Sequence, residues 1–456
     1  MHHTSHTSHT SHTSHSEVVT YTYPASCPAA EGTQVEVNGE PVFVYPATVA
    51  NFATFSFTGE AFIRIRSNAP LESVVVRPLS RAVIAEVTAA DTACFTIKEP
   101  MNLYIELNGQ AMPLFLFANP LEEHVPDPKD PNVLYFRGGE VYDVGILRIH
   151  SGQTVYLEGG AVVRGVIRST NANHIQIIGR GVLDGCLVPQ RGEGRQFFVV
   201  LEGCRDVLME GITLIEAPHW MIVLGACERV LIRNVKEIGY CVSSDGIDIV
   251  GSKDVVIDGV FIRNNDDCIA VKALDLRELH PQNAQLDWGQ DVSGIVVKNS
   301  VMYTSDGNAG NALEIGFELR TESVSDIVFD NIDIIAVHGF GSIMSIHNGD
   351  RAVVSDIRYN HIRIEHFYDK LIDIRMVDSR WNFDAAKGGI RNIHFSNIHA
   401  IEQSFNSGYT CSIIGGLSDY PIDHIMFEHV YLNDKRVKNE DDLWLHTKHA
   451  HNIQFL

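Results

Sequence analysis

Nine short β-branched segments recur through the C-terminal two thirds of this chain. They are Ile175-Gln-Ile-Ile-Gly, Val207-Leu-Met-Glu-Gly-Ile, Val230-Leu-Ile-Arg-Asn-Val, Val255-Val-Ile-Asp-Gly-Val, Ile295-Val-Val-Lys-Asn, Ile327-Val-Phe-Asp-Asn-Ile, Ile357-Arg-Tyr-Asn-His-Ile, Ile393-His-Phe-Ser-Asn-Ile and Ile425-Met-Phe-Glu-His-Val. Their starts are 32, 23, 25, 40, 32, 30, 36 and 32 residues apart. Self-similarity at such a period demands a stacked repeat architecture. No 3.6-residue helical period runs between the strands, which weighs against a βαβ fold with crossover helices. Leucine does not recur at fixed short offsets, which excludes a leucine-rich repeat. A right-handed parallel β-helix accounts for the pattern. Each strand stacks on its equivalent one coil away, and β-branched residues form internal ladders. Asn and Gly at the corners supply the unusual backbone angles. The longer intervals imply loops added at one corner.

The N-terminal part has another regime. Thr33-Gln-Val-Glu-Val and Pro41-Val-Phe-Val-Tyr flank Asn38-Gly39, a strong hairpin signal. Phe52-Ala-Thr-Phe-Ser-Phe and Ala61-Phe-Ile-Arg-Ile-Arg flank Thr58-Gly59, and three more short strands follow. Short strands at regular spacing with turn residues between them predict a β-sandwich over 17–120. Residues 119–132 hold four prolines among many charges. That composition predicts a linker, assigned to 121–132, ahead of a β-helix over 133–456. The expected fold class is therefore all-β, a parallel β-helix preceded by a β-sandwich. Residues 1–16 alternate His with Thr and Ser and read as an expression tag. A tag in place of the native N-terminus leaves compartment open, with secretion or a periplasmic location favoured.

The net charge of −22 makes nucleic acid and anionic membranes poor partners. No apolar run approaches the roughly 20 residues that cross a bilayer. The eight cysteines include no Cys-x-x-Cys pair, which speaks against a zinc or redox motif and for buried free thiols. No cofactor or metal is expected.

The chemistry centres on Asp245, Asp266 and Asp267. Asp245 precedes Asp266 by 21 residues, and one repeat strand, Val255-Val-Ile-Asp-Gly-Val, lies between them. Stacked coils sit about 4.8 Å apart, so the acids belong side by side on neighbouring coils. Asp266 and Asp267 cannot both face one way on a regular strand, so they require a corner or bulge. Each acid taken singly also suits a turn cap. Together they offer what a glycoside hydrolase needs, a protonated carboxyl for the leaving oxygen and an ionised one for water or attack. Crowding raises the pKa of one of them into the useful range. Calcium binding by the same acids is the nearest competing use.

Asp245-Gly-Ile-Asp-Ile followed by Asn265-Asp-Asp-Cys-Ile-Ala-Val-Lys272 resembles the signature of the polygalacturonases, glycoside hydrolase family 28. Gly179-Arg-Gly-Val-Leu-Asp-Gly185 and Ala217-Pro-His-Trp220 resemble two further segments of that family. The resemblance covers roughly 133–456. It implies a right-handed parallel β-helix and hydrolysis with inversion. Asp266 would be the general acid, and Asp245 and Asp267 would hold and activate water. Two departures stand out. Where the family has Gly-His-Gly, this chain has Gly310-Asn-Ala-Leu-Glu-Ile-Gly316, with Asn311 in place of the histidine and Glu314 as an added acid. Where it has an Arg-Ile-Lys clamp for the galacturonate carboxylate, Ser342-Ile-Met-Ser-Ile-His-Asn-Gly349 holds neither Arg nor Lys. A sandwich ahead of a β-helix with clustered Asp is also similar to family 49 dextranases and isopullulanases. The expected substrate is a neutral poly- or oligosaccharide, with an α-glucan as leading candidate; polygalacturonate or rhamnogalacturonan hydrolysis is the alternative.

Candidate substrate contacts are Glu314, Asn311, His347, Arg375, Lys272, Trp220 and His219. Each has a plainer reading. Glu314 suits a core edge, His347 a packed corner, Arg375 a surface ion pair and Trp220 the core. Lys272 either lowers the pKa of an Asp or is exposed. Asp248 reads as a turn cap. Rival functions are a β-helical lyase, which wants basic residues and often calcium, and a non-catalytic carbohydrate-binding β-helix, which wants aromatic platforms but no acid trio.

Overall fold

A computed structural model describes residues 16–109, 112–304, 310–401 and 412–456. Residues 1–15 and Cys411 lie outside the described residues. The repeat strands stack in register. Ile175 faces Val207, then Val230, Val255, Ile295, Ile327, Ile357, Ile393 and Ile425 follow one above another. The ladder continues one coil beyond the nine segments, to Ile453. Inside the later coils Phe329, Tyr359, Phe395, Phe427 and Phe455 stack at centroid distances of 5.0, 5.0, 5.1 and 4.9 Å. The unusual corner angles are real. Asn234, Asn299, Asn331 and Asn397 all have φ between 52 and 57°. An asparagine tolerates that left-handed region because its side chain bonds locally.

Two more ladders close each coil. One of them, the site face, stacks Val199–Glu202, Ile222–Gly225, Ile247–Val250, Ile269–Ala273, Leu313–Leu319, Ser342–Asn348 and Lys370–Met376 in parallel. The other carries Val162, Val182, Ile215, Ile238, Phe261, Val301 and Ile335, whose side chains form a cluster with Phe52, Tyr104, Phe115 and Phe117. Those four aromatics belong to the N-terminal region, which therefore docks on this ladder through an apolar seam. Lys236, fully buried at the seam, donates to Asn119 Oδ1.

The N-terminal region is a six-stranded sheet packed on a five-stranded one. Asn38 and Gly39, at φ 51° and 88°, make the expected hairpin between Thr33–Val37 and Glu40–Val42. The strands across Thr58-Gly59 behave otherwise. Asn51–Thr58 lies in the six-stranded sheet and Ala61–Ser67 in the five-stranded one. Phe55 and Phe57 meet Ile63 and Ile65 across one core, so the turn carries the chain between layers rather than pairing its flanks.

Among the described residues seven cysteines are free thiols, six of them buried, and Cys186 is exposed.

Candidate active site

Asp245 stands just before the Ile247–Val250 strand. Asp266 and Asp267 fill the bend between Phe261–Asn264 and Ile269–Ala273. The backbone stitches these coils together. Gly246 N–H donates to Asp267 O at 2.8 Å, and Asn264 Nδ2 donates to the same oxygen at 2.7 Å. A Cβ on Gly246 would lie 2.5 Å from Cys268 O, so only glycine lets the coils approach this closely. One carboxylate oxygen from each of Asp245, Asp266 and Asp267 lies within 4.8 Å of the others.

The three acids have different surroundings. Asp267 is buried, and its Oδ1 accepts the backbone N–H of Asn311 at 2.7 Å and Asn311 Nδ2 at 2.8 Å. Asn311 Oδ1 in turn accepts Ser342 N–H at 2.7 Å. Asn311 thus ties Asp267 to the next coil. Asp245 Oδ2 accepts from Lys272 Nζ at 2.9 Å, while its Oδ1 is buried without a partner. Asp266 is the most open of the three. Burial, then the charge of Asp245, pushes its carboxyl up to about 7. Burial lifts Asp267 as well, with Asp266, Glu314 and Asp245 adding to it. The two donors from Asn311 oppose that rise, because they favour the ionised form. Like charges this close disfavour full ionisation of the pair Asp266 and Asp267, in line with the upward shift of both.

Lys272 is buried, not exposed. It donates to Asp245 and, at 2.8 Å, to Asp248 Oδ1, which is fully buried on its strand instead of capping a turn. Desolvation disfavours its charge, but Asp245 and Asp248 hold the ammonium well above its ordinary range. The same ammonium sits 3.9 Å from the Trp220 ring centroid. Phe197 stacks on that ring at 4.5 Å and 10°. Both faces of Trp220 are taken, so it is a wall of the site and not a sugar platform. His219 packs edge-on against Phe197 and Trp220, and burial, then Arg195 and His280, push it down to about 3. It is a neutral imidazole, with Nδ1 3.2 Å from Ser243 O.

Three candidates on the following coils form one chain. Glu314, fully buried, receives Ser345 Oγ and lies 2.9 Å from His347 Nδ1. His347 Nε2 lies 3.4 Å from Asp373 Oδ2, and Arg375 grips Asp373 through Nε at 2.5 Å and Nη2 at 2.7 Å. Burial works against the imidazolium, but Glu314 and Asp373 raise His347 to about 9. Glu314 and His347 are therefore internal supports, and only Arg375 reaches toward solvent. Two negative and two positive groups cancel.

The long interval after Lys272 folds back over the site face. Leu274, Leu276, Ala284 and Trp288 pack with Val200, Val223 and Trp220. Glu202 Oε2 anchors it, accepting from the Gln285 and Leu286 backbone N–H and from Trp288 Nε1. The face upstream of the acids is filled. Three nearby residues had no sequence signal: His280, which joins the His219 aromatic group, and Phe317 and Glu318, which depend on a strand irregularity.

Residues 164–404 match the family described as glycosyl hydrolases family 28. A probable polygalacturonase of Arabidopsis thaliana is 25% identical over 248 residues, covering 51% of this chain and 47% of that protein. The chain thus matches about half the length of that relative. Among solved structures, Dex49A from Penicillium minioluteum is similar at TM-score 0.67 and 13% identity, with 96% of each chain covered. A hyperthermoactive exopolygalacturonase from Thermotoga maritima is similar at TM-score 0.50 and 15% identity, over 69% of this chain and 82% of that one. These two likenesses concern the fold, and the first spans both the sandwich and the β-helix.

Proposed function

Because the chain belongs to glycosyl hydrolases family 28, we propose that it is a glycosidase in which Asp266 protonates the leaving oxygen and Asp245 and Asp267 hold and activate the attacking water. The observation that carries this reading is the acid trio itself, with its nearest oxygens within 4.8 Å and Asp266 raised to about 7. An acid that is half-protonated near neutral pH and open to the cleft suits proton donation. Asp245, whose Oδ2 accepts from the buried Lys272 ammonium, is one of the two partners assigned to the water.

Inversion is part of the proposal and comes from the family resemblance. The trio is tighter than the roughly 6.5–9.5 Å of a two-carboxylate inverting pair. Water held between two acids, with the third donating, does not need that gap.

The substrate we propose is a neutral glycan. Near the acids, the cations Lys272, His347 and Arg375 each already face carboxylates. None of these three is left free to clamp a uronate carboxylate, which would also meet the fixed negative charges of the cluster. The filled upstream face supports a pocket and release from chain ends. Polygalacturonate hydrolysis is the second reading, favoured by the names of the relatives. A panel of neutral oligosaccharides and oligogalacturonates separates the two. Asp266→Asn should lower product release by about 10²–10⁴ while glycan binding remains; unchanged turnover would remove the acid role from Asp266.

A further inference from the structure

The Leu313–Leu319 strand is broken by a bulge. Val271 faces Ile315 and Ala273 faces Leu319, so Lys272 alone stands opposite Gly316, Phe317 and Glu318. On the other side Gly316 and Phe317 remain in register with His347 and Asn348. Bulges next to active sites re-aim side chains, and this one aims two. The Phe317 ring stacks on His347 at 4.4 Å and 6°. Phe317 is half-buried, and no second ring covers its other face among the described residues. Glu318 is also half-buried, and among the described residues its side chain makes no hydrogen bond or ion pair with another residue. It lies within electrostatic reach of Lys272, Asp245 and Glu314.

A part-exposed aromatic ring beside an unengaged carboxylate is what a pyranose uses. The ring takes the apolar C–H face, and the carboxylate accepts hydroxyl protons in charge-assisted hydrogen bonds. A uronate at the same place would set its carboxylate against Glu318, which has no ion-pair partner among the described residues, an arrangement that discriminates by repulsion. We propose that the Gly316–Glu318 bulge is a sugar subsite that takes a neutral pyranosyl unit and turns away a uronate. Phe317 is its stacking face and Glu318 its hydroxyl acceptor. This rests on the neutral-glycan reading of the same cleft and names the residues that enforce it.

The test is calorimetric binding of isomaltotriose, maltotriose and trigalacturonate to the full chain carrying Asp266→Asn, which suppresses turnover. The parent should bind at least one neutral trisaccharide and prefer it to trigalacturonate. Adding Phe317→Ala should weaken that binding roughly tenfold. Adding Glu318→Gln should weaken it by a similar factor and narrow the preference over trigalacturonate. Phe317→Leu, which keeps most of the volume, serves if the alanine variant does not fold. Unchanged affinities in folded variants would overturn the subsite while leaving the neutral-glycan reading in place. A parent that prefers trigalacturonate, or binds neither neutral trisaccharide, would overturn both.

Discussion

Lys272 Nζ bridges Asp245 Oδ2 at 2.9 Å and Asp248 Oδ1 at 2.8 Å, and with Asp245 it joins successive coils beneath the Trp220 ring. It is the cation against which the acid cluster is balanced. Removing it as Lys272→Met leaves two buried carboxylates uncompensated. Breaking such a pair costs about 3–5 kcal/mol, so the unfolding midpoint in urea should fall sharply. In whatever protein remains folded, kcat should fall more than KM changes, because Asp245 Oδ2 loses the donor that fixes it.

Asp266 governs the other limb. Its raised carboxyl donates a proton only while protonated, so activity should decline as pH rises through about 7. Asp266→Asn should lower kcat by about 10²–10⁴, the usual contribution of a general acid. Stability has its own sign. The folded chain holds this proton where the unfolded chain has lost it, from the ordinary carboxylate range up to about 7. Stability is full below that window and declines as pH rises through it. Thermal melts at pH 5 and pH 8 should show Asp266→Asn gaining relative to wild type at the higher pH.

Asn311 is predicted to act through Asp267. Asn311→Ala removes one of two N–H donors to Asp267 Oδ1 and the acceptor for Ser342 N–H. Hydrogen bonds to charged groups contribute about 1.5–3 kcal/mol, and a loss of that order should appear in equilibrium unfolding. The expected kinetic signature is a fall in kcat with KM little changed, because the side-chain bonds of Asn311 go to Asp267 and Ser342.

The ladder Ile175 to Ile425 was readable because a β-branched interior repeats once per coil, and the acid trio because its members flank one such repeat. Other features left no local trace. The Thr58-Gly59 turn has hairpin chemistry, but its flanking strands bury their apolar sides against each other from opposite sheets. Glu318 is presented by a bulge, and a bulge interrupts the very period by which strands are recognised. Asp248 looked like a turn residue because its partner, Lys272, is 24 residues away and one coil distant.

Glu237 is another acid that pattern alone could not place. It is fully buried, and neither carboxyl oxygen has a hydrogen-bond partner. It sits behind the site, with one oxygen 2.8 Å from where a Cβ on Gly246 would be. Burial, then the charge of Asp248, raises it well above the ordinary carboxylate range. The folded chain keeps its proton and the unfolded chain does not, so stability should drop as pH rises above that ordinary range. Glu237→Gln should flatten this dependence, raising the melting temperature at pH 8 and changing it little at pH 4.

The most direct test of the central claim follows the sugar protons by NMR while the enzyme acts on neutral α-glucan oligosaccharides and, separately, on oligogalacturonates. Hydrolysis of a neutral oligosaccharide is predicted, with the first product appearing in the inverted anomeric form and product release by Asp266→Asn lowered by about 10²–10⁴. Turnover of oligogalacturonates alone, or product of retained configuration, would contradict the account.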